Sequence, residues 1–154
     1  MRPPMTRSPR SLILAVSVIA LGAGAALAEA HMDPIEARQQ AMKTVGASTK
    51  TLAQMANGTN PFDATAAETA LSEMQAAVAD FATYFPDGSE SDESEAAPAI
   101  FSDRDGFEEQ VAEFQADIDT ALETPPSSQD ELKVAFGNVA GNCKACHETY
   151  RVDK

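Results

Sequence analysis

Cys143-Lys144-Ala145-Cys146-His147 places two thiols and an imidazole within five residues, and these are the only cysteines in a chain of 154 residues. Two thiols at this spacing can each add across one vinyl group of a porphyrin, leaving the adjacent imidazole to reach the metal. C-x-x-C-H is the sequence signature of covalent c-type haem attachment. Three other chemistries use part of the same pattern. A thiol–disulfide redox pair normally follows a strand in a βαβ context. Zinc needs further ligands, and the only other histidine is His31. A structural disulfide here would close only a tiny loop.

The run lies near the C-terminal end of a sequence that reads as helices throughout. Ala-rich segments dominate, aromatics make up 6% and Trp is absent, a composition suited to helices over β-sandwiches. The first helix is expected over Pro34 to Asn57, with Asp33 as N-cap, Pro34 at the first helical position and Asn57-Gly58 as the stop. Its apolar positions Ile35, Met42, Val45, Leu52 and Met55 recur at helical spacings. The second is expected over Asp63 to Tyr84, with a stripe of Leu71, Met74, Val78, Phe81 and Phe85. The third is expected over Ser102 to Leu122, with Phe107, Val111, Phe114, Ile118 and Leu122 inward. The fourth starts at Ser128, where Ser128-Gln129-Asp130-Glu131 forms a capping box, and carries Leu132, Phe136, Val139, Cys143 and Tyr150 on one face.

Short connections after the first and third helices predict antiparallel neighbours. Pro86 to Pro98 (PDGSESDESEAAP) predicts a solvated, mobile crossover between the second and third. The fold expected is therefore all-α, an antiparallel up-down-up-down four-helix bundle.

The N-terminus has a different character. Arg2, Arg7 and Arg10 precede the apolar run Leu12 to Leu21, and Ala26-Leu27-Ala28 supplies an A-x-A pattern. Residues 1–28 are expected to be a signal peptide, cleaved after Ala28 or alternatively after Ala30, leaving a domain over 29–154. An uncleaved membrane anchor is the competing reading, although the strongly apolar core falls short of the roughly 20 residues a span requires. Export places the mature protein in the periplasm of a Gram-negative cell, with no membrane insertion.

Charge limits the partners. The chain has 11 Lys and Arg against 24 Asp and Glu, for a net charge of −13. Removal of residues 1–28 takes away three Arg and no acids, which deepens the charge to −16. Such a surface disfavours nucleic acid and anionic lipid and steers toward a basic protein partner. Solubility or salt adaptation would produce the same balance.

The C-terminal Cys143-x-x-Cys146-His147 run followed by Tyr150-Arg151 resembles the class II c-type cytochromes, the family of cytochrome c′. So do Arg38-Gln39-Gln40-Ala41-Met42 and Ala99-Ile100-Phe101-Ser102-Asp103 with Phe107. Phe101 stands where the family often has Trp, and both fill apolar space. The resemblance spans nearly the whole mature chain. It implies one covalent haem c on Cys143 and Cys146, with His147 as the proximal iron ligand. It also places residue 42 on the distal face, where an apolar side chain leaves the iron five-coordinate and open to small gases. Met42 instead offers a thioether that can ligate iron, a pairing with histidine suited to electron transfer; alternatively it packs in the core. The resemblance further sets Arg38 near the haem propionates and Arg151 near the proximal histidine, each otherwise a solvated surface charge. Lys144 reads as exposed. Family members often pair as homodimers through their first two helices. No general base, nucleophile or substrate pocket is evident, so the expectation is a non-enzymatic electron carrier, with a gas-binding protein as the alternative.

Overall fold

A computed structural model describes residues 32–152. The expected leader, residues 1–28, and the second histidine, His31, lie outside the described residues.

Asp33 opens helix α1 (Pro34–Ala56) as expected, its carboxylate accepting from the N–H groups of Ile35 at 2.9 Å and Glu36 at 3.2 Å. Asn57 caps the C-terminus, and Gly58, at φ 79°, takes the left-handed turn that follows. Helix α2 (Ala64–Val78) starts from Asp63, which accepts from Ala66 N–H at 2.9 Å. A four-residue helix α3 (Ala99–Ser102) precedes α4 (Arg104–Glu123). Helix α5 (Gln129–Tyr150) begins at Ser128, whose hydroxyl accepts from Glu131 N–H. The reciprocal half of the expected capping box shifts by one residue. Glu131 accepts from the backbone and hydroxyl of Ser127, not from Ser128.

Hydrogen bonds between helices fix their direction. Gln129 at the start of α5 donates to the carbonyls of Met55 and Ala56 at the end of α1. Gln115 and Asp119 of α4 bond Val78 and Gln75 of α2 respectively, so the register runs in opposite senses. Asn142 and Tyr150 of α5 bond Asp117 and Asp103, at the middle and start of α4. With the short α1–α2 connection, this is the antiparallel four-helix bundle. Its core is built from the expected stripes: Leu52, Met74, Ile118 and Leu132 are fully buried at its centre. Phe81, Phe85, Phe107 and Tyr150 form an edge-to-face chain at one end, with successive centroids 5.2, 4.9 and 5.4 Å apart.

The structure corrects three further expectations. The second helix does not continue to Tyr84; α2 stops at Val78 and a 3₁₀ turn spans Phe81–Tyr84. Gln115 takes the carbonyls of Val78 and Ala79, Thr83 takes that of Asp80, and Pro86 disfavours helix at Phe85. The helix expected from Ser102 breaks at Asp103, which adopts φ −129° and separates α3 from α4. The crossover is not solvated throughout. Its second half is packed, with Ser94 and Ala97 buried. Ala97 N–H donates to Tyr150 O at 3.0 Å and Val152 N–H to Glu95 O at 2.9 Å, an antiparallel bridge between crossover and C-terminal segment. Arg151 closes on Glu95 at 2.7 Å. Among the described residues, no helix is long and apolar enough to cross a membrane.

Candidate haem site

A cavity of about 710 Å³ opens between α1, α4 and α5, at the end of the bundle where the aromatic chain lies. Cys143, Cys146 and His147 line it from the last two turns of α5. Met42 lines it from α1, half-buried against the core. Val45, Phe81, Phe107 and Val111 give it apolar walls, and Glu93 to Ala96 of the crossover complete one side. The volume falls within the range of cofactor cavities, which are concave and mostly apolar with a few placed polar groups.

The donor set fits a haem. Both cysteine side chains are half-buried on the cavity wall, and no disulfide joins them. Burial pushes the Cys143 thiol up, and burial followed by the Cys143 charge does the same to Cys146. That is opposite to the lowered thiol of a disulfide oxidoreductase. Burial and then the Arg151 cation hold His147 below its ordinary pKa, against a smaller upward pull from Glu95. A neutral imidazole is the form that ligates a metal. Among the described residues, no three His, Cys, Asp or Glu side chains are grouped to hold a metal ion by themselves.

Arg38 is not a solvated charge. It is 5% exposed and lies one turn before Met42 on α1. Its Nε donates to Tyr84 O at 2.8 Å, its Nη1 to Ser89 O at 3.1 Å and its Nη2 to the Ser89 hydroxyl. The guanidinium lies 4.2 Å from the Phe85 ring centroid, and the residue lines the cavity. Burial lowers its pKa, with Asp33 and Glu90 pulling the other way. Arg151 is exposed at the C-cap of α5, paired with Glu95 and close enough to His147 to act on its charge. Lys144 is exposed and pairs with Glu148 one turn on, at 3.6 Å. Phe101 is half-buried against the core, with Arg104 above its ring.

Sequence reasoning missed two groups at this end of the molecule. Asn142, buried beside Cys143, donates to Asp117 at 2.7 Å and to Asn138 O, and accepts from Gln110. Tyr150, read as a core residue and as part of the C-terminal run, donates its hydroxyl to Asp103 at 2.9 Å. Burial raises its pKa, and the hydrogen bond to Asp103 and the charge of that carboxylate add to the rise. No local spacing announces either group, because the partners lie 25 and 47 residues away.

A helical bundle with C-x-x-C-H at the mouth of an apolar cavity defines a c-type cytochrome of the bundle class. The cytochrome C′ family profile matches residues 33–151, and the chain belongs to that family. It is 37% identical over 120 residues to cytochrome c-556 of Agrobacterium tumefaciens (strain II Chrys), covering 78% of this chain and 98% of the relative. Cytochrome c′ from Rhodopseudomonas palustris superposes with a TM-score of 0.75 at 30% identity, over 80% of this chain and 98% of the other. A variant of cytochrome c prime from Alcaligenes xylosoxidans, solved as its nitric oxide complex, gives 0.70 at 28% identity, over 79% and 98%. The cofactor is one covalent haem c, as in the family.

Proposed function

We propose that the chain is a periplasmic one-electron carrier whose haem is attached through Cys143 and Cys146 and whose iron is held between His147 and Met42. The observation that carries this reading is that α1 and α5 bring Met42 and His147 to the walls of one cavity. Haem iron with Met/His ligation alternates between ferric and ferrous at a raised potential. The protein's own residues position and shield. Arg38 fixes the α1 turn that carries Met42 and contributes a cation for the propionates, while Arg151 tempers the proximal histidine. Val45, Phe81, Phe107 and Val111 keep water from the iron. A surface with 24 acidic residues fits a redox partner with a basic docking face, whose encounter rate then falls with added salt. Pairing of two copies through α1 and α2 belongs to the same reading.

The test is optical and electrochemical. Wild-type holoprotein should be low-spin in both oxidation states and refractory to carbon monoxide. Met42→Leu conserves volume, and such swaps usually cost under about 1.5 kcal/mol. The variant should therefore stay folded while turning high-spin, binding carbon monoxide readily and losing potential. Rapid binding by wild type, or an unchanged variant spectrum, would leave Met42 a packing residue.

The second reading is a gas-binding protein with an open distal face. It is favoured by the fold shared with the Alcaligenes xylosoxidans variant solved as its nitric oxide complex, and by the apolar walls around Met42.

A further inference from the structure

The last turn of α5, which carries His147, is tied to α4 by a contact that departs from local rules. Asp103 is the N-cap of α4, where a carboxylate ordinarily accepts from the second or third helical N–H. Asp33 and Asp63 do so at α1 and α2, but Asp103 makes no such bond. Its Oδ2 instead accepts from the Tyr150 hydroxyl at 2.9 Å. Tyr150 is buried, with its ring edge-on to Phe107 at 5.4 Å and its carbonyl accepting from Ala97 N–H at 3.0 Å. Gly106 makes room for the pair. A Cβ there would lie 2.5 Å from Asp103 Oδ2 and 2.7 Å from Tyr150 Oη. A glycine in the first turn and an unmade cap both weaken the start of α4, and both serve one long-range hydrogen bond.

We infer that Asp103, Gly106 and Tyr150 form a positioning set that fixes the terminal turn of α5 and thereby the direction in which His147 presents its imidazole. The inference rests on the reading of His147 as proximal ligand. The physical need is clear from the helix end. The last four carbonyls of a helix lack intrahelical partners, and terminal turns open most easily. His147 to Tyr150 are the last four helical residues of α5. Tyr150 lies one turn beyond His147 on the same side, and both line the cavity. Asp103 and Gly106 act through Tyr150.

The decisive variant is Tyr150→Phe in the holoprotein, which keeps the ring and loses the hydroxyl. Amide exchange over residues 148–152 should quicken on the order of tenfold, the scale of one hydrogen bond to a charged acceptor. The haem-shifted proton signals of the His147 imidazole and the midpoint potential should both move. Gly106→Ala leaves both partners chemically intact but separates them, and should move the same readouts in the same direction. Asp103→Asn retains an acceptor oxygen and should keep most of the wild-type signature, while Asp103→Ala removes the acceptor and serves as the perturbing variant if either of the others fails to fold. Faster exchange with unmoved imidazole signals and potential would make the tether merely structural and overturn the inference. Unchanged exchange would overturn it as well. Wild-type holoprotein with no haem-shifted imidazole signals that His147→Ala removes would instead overturn the ligand reading, and the inference with it.

Discussion

Arg38→Leu should cost the folded state about 2–3 kcal/mol. The guanidinium, 5% exposed, serves the carbonyls of Tyr84 and Ser89 and the Ser89 hydroxyl, and lies 4.2 Å from the centre of the Phe85 ring. Hydrogen bonds from a charged donor contribute about 1.5–3 kcal/mol each, and a desolvated cation over an aromatic face adds about 1–2 kcal/mol. Against these stands the desolvation of the cation, several kcal/mol, which the substitution gives back. Taking the low end for the three bonds leaves the net figure above. For a folded region of this size, that corresponds to a fall of roughly 10 °C in Tm. Urea unfolding of the holoprotein, followed by helical circular dichroism and by haem absorbance, measures it. Arg38→Lys is the control that separates charge from geometry. An ammonium keeps the charge but cannot span Tyr84 and Ser89 with a planar fork, so it should recover less than half of the loss. A loss below about 0.5 kcal/mol for the Leu variant, or full recovery with Lys, would refute the view that the fork fastens the crossover to α1.

Two further outcomes follow from groups elsewhere. Ser48 on α1 is 2% exposed and its hydroxyl has no hydrogen-bond partner among the described residues, so Ser48→Ala should raise stability by about 1 kcal/mol, read as a higher urea midpoint at unchanged slope. Glu131 has its pKa lowered by the backbone N–H and then the hydroxyl of Ser127, so its folded pKa lies below its unfolded one. Its stabilisation is therefore complete above the ordinary glutamate range and is lost as pH falls through the folded pKa. Glu131→Gln should flatten the acid limb of the stability profile in that window, and parallel limbs would show that the Ser127 contacts contribute nothing.

Helix starts were legible because a cap is a local device: Asp33, Asp63 and Ser128 each stand within three residues of the N–H groups they serve. The core stripes were legible for the same reason, their period being set by the helix itself. So was the C-x-x-C-H run, whose chemistry is written into five consecutive residues. The breaks at Ala79 and Asp103 were not, since they depend on Gln115, 36 residues from Ala79, and on Tyr150, 47 residues from Asp103. The acidic crossover misled most. Its Gly, Ser and Glu content describes a chain that can be solvated, whereas Arg38, Arg151 and the Tyr150 carbonyl decide that much of it is held. The burial of Arg38 was hidden too, because no spacing within α1 tells that a carbonyl from beyond α2 will arrive beside it.

The pinned crossover also bears on the order in which the chain comes together. Helix pairs α1–α2 and α4–α5 are joined by short loops and can meet early, because closing a short loop loses little chain entropy. The fasteners of the crossover join residues far apart in sequence, 51 for Arg38 with Ser89 and 56 for Arg151 with Glu95. They need both helical hairpins in place before they can form. The wall made by Glu93 to Ala96 is thus among the last parts of the cavity to be assembled. Until it closes, the flank of α5 that bears Cys143 and Cys146 stays accessible from that side, which leaves the two sulfurs open to the cofactor before the wall is in place.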